Sequence, residues 1–192
     1  MTEQNKIDKI KLESSDKSFH TYGYSYIFTK RIKWYLKYIN AIKFLGIFVP
    51  LTVGALAIGY NFEHGILVIS VALAIPITII QLIISTLSIV YKWDDELAYA
   101  FEANQDYNNL YDEFIKIFKF PSSNFHELEK LFEILNTKQK NREQQDSKHN
   151  ITDKELRIGM RYSLREHKKQ CSGCSIAPTS MEPTKCGVCG NF

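Results

Sequence analysis

Two long segments of the 192-residue sequence lack any charged residue. Phe44 to Tyr60 has none over 17 residues, and Gly65 to Tyr91 has none over 27. All 24 Lys and Arg and all 21 Asp and Glu residues therefore lie elsewhere, and the net charge of +3 averages over unlike parts. This segregation excludes a single soluble globule. Because only about 100 residues follow the second segment, it also excludes a large enzyme core.

Catalytic motifs are lacking as well. The sequence contains no GxGxxG or Walker phosphate loop, no nucleophile elbow, no HExxH and no paired carboxylates, and its five histidines are scattered. Each of these motifs brings reactive groups to a defined spacing. We therefore expect a protein that is not an enzyme.

Both uncharged segments are long enough for membrane-spanning helices. About 20 apolar residues cross a bilayer core of about 30 Å. The second segment exceeds this length, and the first reaches it when extended backwards to Ile39. The short connection 61–64 then predicts a hairpin. The alternative is a buried helical pair in a soluble protein.

Positive charge marks one side of this hairpin. Between Lys30 and Lys43 the sequence has five basic residues and no acidic one, whereas the connection 61–64 has no Lys or Arg. The positive-inside rule therefore places both termini in the cytoplasm. The first 26 residues lack an apolar stretch, which predicts an uncleaved anchor. Aromatic residues at the expected interfaces are Trp34, Tyr35, Tyr60, Tyr91 and Trp93.

The second apolar segment carries polar side chains on one predicted helical face, because their spacings are 3, 4 and 3. Two interpretations stay open: the stripe lines a pore in an oligomer, or it hydrogen-bonds neighbouring helices. Its members are Thr78, Gln81, Ser85 and Ser88.

A heptad-like apolar stripe follows the second segment. It predicts one long helix that continues the second span and ends before Pro121. The stripe is compatible with a small bundle and with an oligomer seam. Its members are Ala100, Ala103, Tyr107, Leu110, Phe114 and Ile117.

Two further helix starts carry capping-box signatures, Asn124 with Glu127 and Thr152 with Glu155. Residues 136–150 between them are polar, which predicts a linker or a frayed helix end.

A basic stripe occupies the last predicted helix. Arg157, Arg161 and Arg165 are four residues apart, and Lys168 and Lys169 follow. Arginines on one face can hold phosphates, so these five residues are candidate contacts for a nucleotide or nucleic acid. The alternative is a solvated face with cations favourably placed at a helix C-terminus.

All four cysteines lie in the last 22 residues, as two Cys-x2-Cys pairs separated by 11 residues. Two such pairs predict a structural Zn²⁺ site with four thiolate ligands, which leaves no position open for catalytic water. Gly173 and Gly190 suit tight turns there, and a redox dithiol is the rival interpretation. The predicted ligands are Cys171, Cys174, Cys186 and Cys189.

These parts predict an all-α membrane protein. Residues 1–29 form an N-terminal cytosolic segment, 30–92 a juxtamembrane helix and two-span hairpin, 93–170 a cytosolic helical region, and 171–192 a zinc-knuckle module.

The order of parts resembles the SLATT group of bacterial two-transmembrane effectors, including the helix with Phe101, Ala103, Tyr107 and Leu110. The tail is similar to the mobile-element branch named for the CxxCx(11)CxxC spacing. The resemblance, which extends to the Hailong type of anti-phage system, implies a membrane-perforating effector in the bacterial inner membrane. It also implies a partner nucleotidyltransferase whose product, a nucleotide messenger or short single-stranded DNA, is the ligand.

Three hypotheses result. The first is a homo-oligomeric channel in the lipid bilayer, a tetramer being favoured, that a cytosolic nucleotide or short single-stranded DNA gates to cause depolarisation and abortive infection. The second is a membrane-anchored adaptor whose zinc module binds a protein or nucleic-acid partner. The third is a membrane thiol oxidoreductase with cycling cysteines.

Overall fold

The computed structural model describes residues 3–59 and 65–192. These residues form helices and no strand, which confirms the all-helical expectation for this part of the chain. The helices are α1 (Glu3–Gly59), α2 (Gly65–Val90), α3 (Trp93–Lys119), α4 (Phe125–Asp146) and α5 (Asp153–Glu166).

The chain divides into two compact units. One, here called the helical-core unit, contains residues 3–30 and 100–192, and the other, the apolar unit, contains residues 31–59 and 65–99. The described part of the predicted N-terminal segment thus belongs to the same unit as the cysteine tail and as the predicted helical region from residue 100 onwards.

The apolar unit contains two helices that are long and apolar enough to cross a membrane. None of the residues in the most apolar 18-residue window of either helix is buried within the chain. Exposed apolar side chains are more stable in hydrocarbon than in water. The predicted hairpin connection 61–64 and Tyr60 lie outside the described residues.

The prediction that the second span continues as one long helix is wrong. Helix α2 ends at Val90 and α3 begins at Trp93. Between them Lys92 has a φ of 50°, in the left-handed region, which breaks the helical hydrogen-bond ladder. Beside the break, Trp93 packs edge-on to Trp34 with ring centroids 5.2 Å apart. Three of the predicted interfacial aromatics, Trp34, Tyr35 and Trp93, therefore form one cluster.

The heptad-like stripe of α3 packs inside the helical-core unit. All six of its residues are buried within a single chain, and Tyr107 is fully buried against Phe28 and Tyr24 of α1. Because intramolecular contacts already cover the stripe, it is the seam of a small bundle and not a contact between subunits. The end of α3 at Lys119, before Pro121, is as predicted.

Residues 136–146 belong to α4, so the predicted linker or frayed end is wrong for them. Helix α4 runs to Asp146, and its polar residues Gln139, Arg142 and Asp146 are buried. Their burial depends on mutual pairing, since a buried charge without a partner is strongly unfavourable. The sequence lacks an apolar stripe here because charged groups fill the core positions.

A charge network centred on the buried guanidinium of Arg142 connects α4 to α3. The guanidinium of Arg142 contacts carboxylates of Glu102, Asp106 and Asp146 at 3.0 to 3.2 Å. The hydroxyl of Tyr107 donates to Asp146 at 2.5 Å. Burial and the neighbouring carboxylate raise the pKa of Tyr107, so the phenol keeps the proton that it donates.

Caps position the starts of α4 and α5. The Thr152 side chain accepts from the N–H of Glu155, whose carboxylate accepts from the N–H of Thr152, so this predicted capping box is confirmed. At α4 only half of the predicted box forms. Asn124 caps the helix, but the carboxylate of Glu127 accepts from Ser122 instead.

Replacing Arg142 by Met tests the network. The change takes the guanidinium away from the buried carboxylate of Asp146, and we expect it to lower the free energy of unfolding by about 3–5 kcal/mol. The measurement is denaturant unfolding of the detergent-solubilised full chain. The exposed Lys140, changed to Met, is the matched control and is expected to stay within about 0.5 kcal/mol. Equal effects of both changes would contradict a role for the network.

Candidate metal centre

The four cysteine sulfurs converge on one point in the tail. Their Sγ atoms all lie within 4.8 Å of one another. The pairs Cys171–Cys186 and Cys174–Cys189 are each 3.9 Å apart. Four ligands at about 2.3 Å from a tetrahedral ion would be separated by about 3.8 Å. The predicted ligand set is therefore brought together in a geometry that fits a metal ion.

Backbone hydrogen bonds fold each Cys-x2-Cys pair into a knuckle. In the first, the N–H of Ser175 donates to the carbonyl of Cys171 at 2.7 Å. In the second, the N–H of Gly190 donates to the carbonyl of Cys186 at 3.0 Å. The N–H of Val188 also reaches the Cys186 sulfur at 3.4 Å. These bonds aim both thiols of each pair in the same direction.

The two knuckle thiols of the second pair differ electrostatically. Hydrogen bonds from the backbone N–H groups of Cys189 and Val188 lower the pKa of Cys186 to about 6. Burial raises the pKa of Cys189. A metal ion binds thiolates, so its positive charge would have to offset the desolvation of the buried sulfur.

The glycines of the knuckles provide space and no unusual backbone angle. Neither Gly173 nor Gly190 has a positive φ. A Cβ on Gly190 would lie 2.9 Å from the backbone oxygen of Thr184, and one on Gly173 would lie 2.7 Å from the side chain of Val188. In the first knuckle it is Ser175, and not a glycine, that has a left-handed backbone conformation, with a φ of 56°. Close approach is therefore what requires glycine here.

Two arginines of the predicted phosphate stripe bind the tail. The guanidinium of Arg157 donates to the carbonyls of Gly187 and Asn191 at 2.9 and 3.0 Å. That of Arg161 donates to the carbonyls of Ser180 and Cys189 at 2.8 and 3.3 Å. The four-residue spacing places both arginines on one face of α5, but their hydrogen-bond acceptors are carbonyls that are distant in the sequence.

The remaining basic residues lie at the end of α5. Arg165 pairs with Glu166 and lies 5.3 Å from the ring centre of Tyr162. Lys169 lies 3.7 Å from a carboxylate oxygen of Asp16. Lys168 is exposed, with a φ of 51°. Their assignment to phosphate stays a prediction.

The predicted polar stripe of α2 is divided between two environments. The amide nitrogen of Gln81 lies 2.9 Å from where a Cβ would stand on Gly46 of α1. Ser85 and Ser88 are partly buried, whereas Thr78 is exposed and donates to the carbonyl of Ala74 at 2.8 Å. Gln81 and Thr78 also line a groove of about 480 Å³ in the apolar unit. The glutamine thus faces the other apolar helix of its own chain.

Removing one thiolate tests the metal centre. Wild-type protein is expected to carry one metal ion per chain, measured by inductively coupled plasma mass spectrometry after dialysis. Cys174→Ser replaces a thiolate by a weak ligand and is expected to lose most of this metal. The neighbouring Ser172, exposed and between the first two ligands, is changed to Ala as a control and should keep it. Equal metal content in both variants would overturn the assignment.

Comparison with known proteins identifies the family. No solved structure and no curated protein matches the chain. The family described as "Mobilome CxxCx(11)CxxC protein" matches residues 11–192, which include all the described helices beyond the first turns of α1 and the entire cysteine tail. The chain therefore belongs to the mobilome CxxCx(11)CxxC family.

Proposed function

We propose that this protein is a homo-oligomeric membrane channel, of the SLATT type, that acts as the effector of a bacterial anti-phage system. A phosphate-bearing ligand, a nucleotide messenger or short single-stranded DNA made by a partner nucleotidyltransferase, shifts it between closed and open states. Opening depolarises the inner membrane and causes abortive infection. Both termini and the helical-core unit lie in the cytoplasm, and a tetramer is the favoured assembly.

The polar face of α2 is the observation that carries the channel proposal. Gln81 lies in a helix of 26 residues that has no charged side chain. An amide in hydrocarbon is unfavourable unless it contacts water or a polar partner. Gln81 and Thr78 place their polar groups along a groove that is otherwise lined by apolar residues and Gly46, and water in this groove would meet the need of the amide. In an oligomer, grooves of this kind meeting around an axis would form the conducting path.

The end of α5 is the proposed ligand contact. Lys168 and Lys169 follow the helix, and Arg165 lies beside them over the ring of Tyr162. Cations hold phosphates, whereas the ring of Tyr162 is already stacked on that of Tyr26, with ring centroids 3.7 Å apart. Arg157 and Arg161 contribute positive charge at longer range because tail carbonyls occupy their donors.

The ion at the cysteine centre is proposed to be Zn²⁺ in a structural role. Four sulfur ligands in a tetrahedral arrangement favour this ion among common cellular metals. The proposed site contains no fifth protein ligand among the described residues.

Ion flux through proteoliposomes tests the channel. Gln81→Leu removes the amide from the proposed path, and we expect it to lower conductance several-fold. Thr86→Val is the matched control, because Thr86 is an exposed polar residue of α2 outside the stripe and donates to Leu82 of its own helix. Conductance that responds equally to both changes, or to neither, would count against the proposed path.

The absorbance ratio at 260 and 280 nm tests the ligand contact. Protein purified at low salt is expected to carry nucleic-acid material. Changing Lys168 and Lys169 to Gln should lower the ratio, because phosphate affinity depends on the number of cations. Lys130 and Lys140, both exposed on α4, are changed to Gln as the control pair. An equal ratio in all three proteins would contradict this contact.

A membrane-anchored adaptor is the second candidate, and two observations favour it. Ile176 is 66% exposed and Val188 is 38% exposed, so the cysteine module presents apolar side chains that a protein partner would cover. Gln81 faces the apolar helix α1 within its chain, which fits spans that serve only as an anchor. This function predicts that overproduction leaves the membrane potential unchanged.

A further inference from the structure

We propose that the metal-bound tail acts as a clasp that fastens α5 to the N-terminal part of α1, with Arg157 and Arg161 as its positioning residues. The clasp is a property of the helical-core unit alone. It holds whether the protein forms a channel or serves as an adaptor, so the two proposals can fail separately.

The tail lacks regular secondary structure of its own. Residues 171–192 contain no helix and no strand. Their packing depends on the two knuckles and on the contacts made with α5. A short segment of this kind has too little apolar surface to fold alone, so metal binding supplies its folding free energy.

Arg161 is the central polar contact of the clasp. The residue is 6% exposed. Its guanidinium donates to the carbonyl of Ser180, which lies between the two Cys-x2-Cys pairs, and to the carbonyl of Cys189 in the second knuckle. A buried guanidinium needs acceptors to offset its desolvation. These two acceptors are in place only when the tail is folded around its metal. Unfolding of the tail therefore removes both partners that the structure gives this cation.

Arg157 adds a second bridge one turn earlier on α5. It reaches Gly187, inside the second Cys-x2-Cys pair, and Asn191, just after it. The two arginines together donate to four tail carbonyls. Since both contact residues of the second knuckle, they orient the half of the metal centre that contains Cys186 and Cys189.

Apolar packing connects the metal ligands directly to α1. Cys171 and Cys189 are each 1% exposed and lie in one cluster with Phe19 of α1 and Leu164 of α5, against which Met160 also packs. The cluster has no other buried member among the described residues. Loss of the folded tail would therefore expose Phe19 and Leu164 together.

Residues 19–23 of α1 also make close contact with α5. Ser163 donates to the carbonyl of Phe19 at 2.9 Å. One turn further along, a Cβ on Gly159 would lie 2.8 Å from the carbonyl oxygen of Gly23, so the two helices meet at backbone distance. Phe19 thus belongs both to the contact with the tail and to the contact between the helices. A change in the packing of the tail would therefore act directly on the contact between α1 and α5, because both contacts include Phe19.

Thermodynamic linkage makes the proposal testable in two directions. If metal binding stabilises the docking of α5, then contacts made by α5 must in turn raise metal affinity. An independently folded tail would show neither effect.

The first experiment measures Zn²⁺ affinity of the detergent-solubilised full chain by competition with a chromophoric chelator. Arg161→Met keeps the side-chain length but removes both hydrogen bonds, and we expect affinity to fall about 10- to 100-fold, as for other residues that support metal ligands. Lys154→Met is the control: Lys154 is exposed on α5 and should leave affinity unchanged. Arg161→Lys should recover part of the loss. Equal affinity of Arg161→Met and wild type would overturn the proposal.

The second experiment needs no variant and so does not depend on the folding of one. Hydrogen exchange is compared between Zn²⁺-loaded wild-type protein and protein treated with excess chelator. Removal of metal should raise exchange in the tail, in α5 and in α1 around residues 17–27, while α4 serves as an internal reference. Faster exchange confined to residues 171–192 would overturn the clasp. Faster exchange throughout α4 as well would show global unfolding and would also contradict a local device.

Discussion

Four sulfur atoms held within 4.8 Å of one another are the constraint on which the end of the chain depends. The segment that carries them has no helix or strand, so its position follows from its metal geometry and from the carbonyls that its knuckles turn outward. Those carbonyls become the acceptors for Arg157 and Arg161. The basic face of α5 is therefore, in large part, the surface on which the tail is seated. One set of contacts serves the metal, the tail and the helix at once.

Polar groups also hold the middle of the helical-core unit. Arg142, Asp146 and Tyr107 occupy core positions that apolar residues usually fill. Such a network contributes less to stability than close apolar packing, but it penalises any arrangement that leaves a member unpaired. We interpret it as the feature that sets the register of α4 against α3.

In the apolar unit, by contrast, apolar side chains lie on the outside. Its two long helices expose their apolar side chains, and hydrocarbon is the environment that fits them. Within it, Gln81 lies against a glycine of the other helix, so the amide is placed inside the chain's own groove. A channel built from this unit would have its polar wall beside the contact of the two helices. Gln81 in this position can either border a conducting path or contact the neighbouring helix within a simple anchor.

Local sequence signals determined much of this protein by themselves. Four features depend mainly on neighbouring residues and were found as predicted: the helical structure of the described parts of the uncharged segments, the single buried face from Ala100 to Ile117, the cap at Thr152, and the convergence of the four cysteines. Tertiary structure alone decided the rest. The burial of Arg142 and Asp146 in a helix whose sequence is polar depends on residues up to 40 positions away, and the partners of Arg157 and Arg161 lie at least 19 positions away. Charge and hydrogen-bonding capacity can be read from a sequence, but a polar residue is buried or solvated according to partners that only the folded chain brings to it.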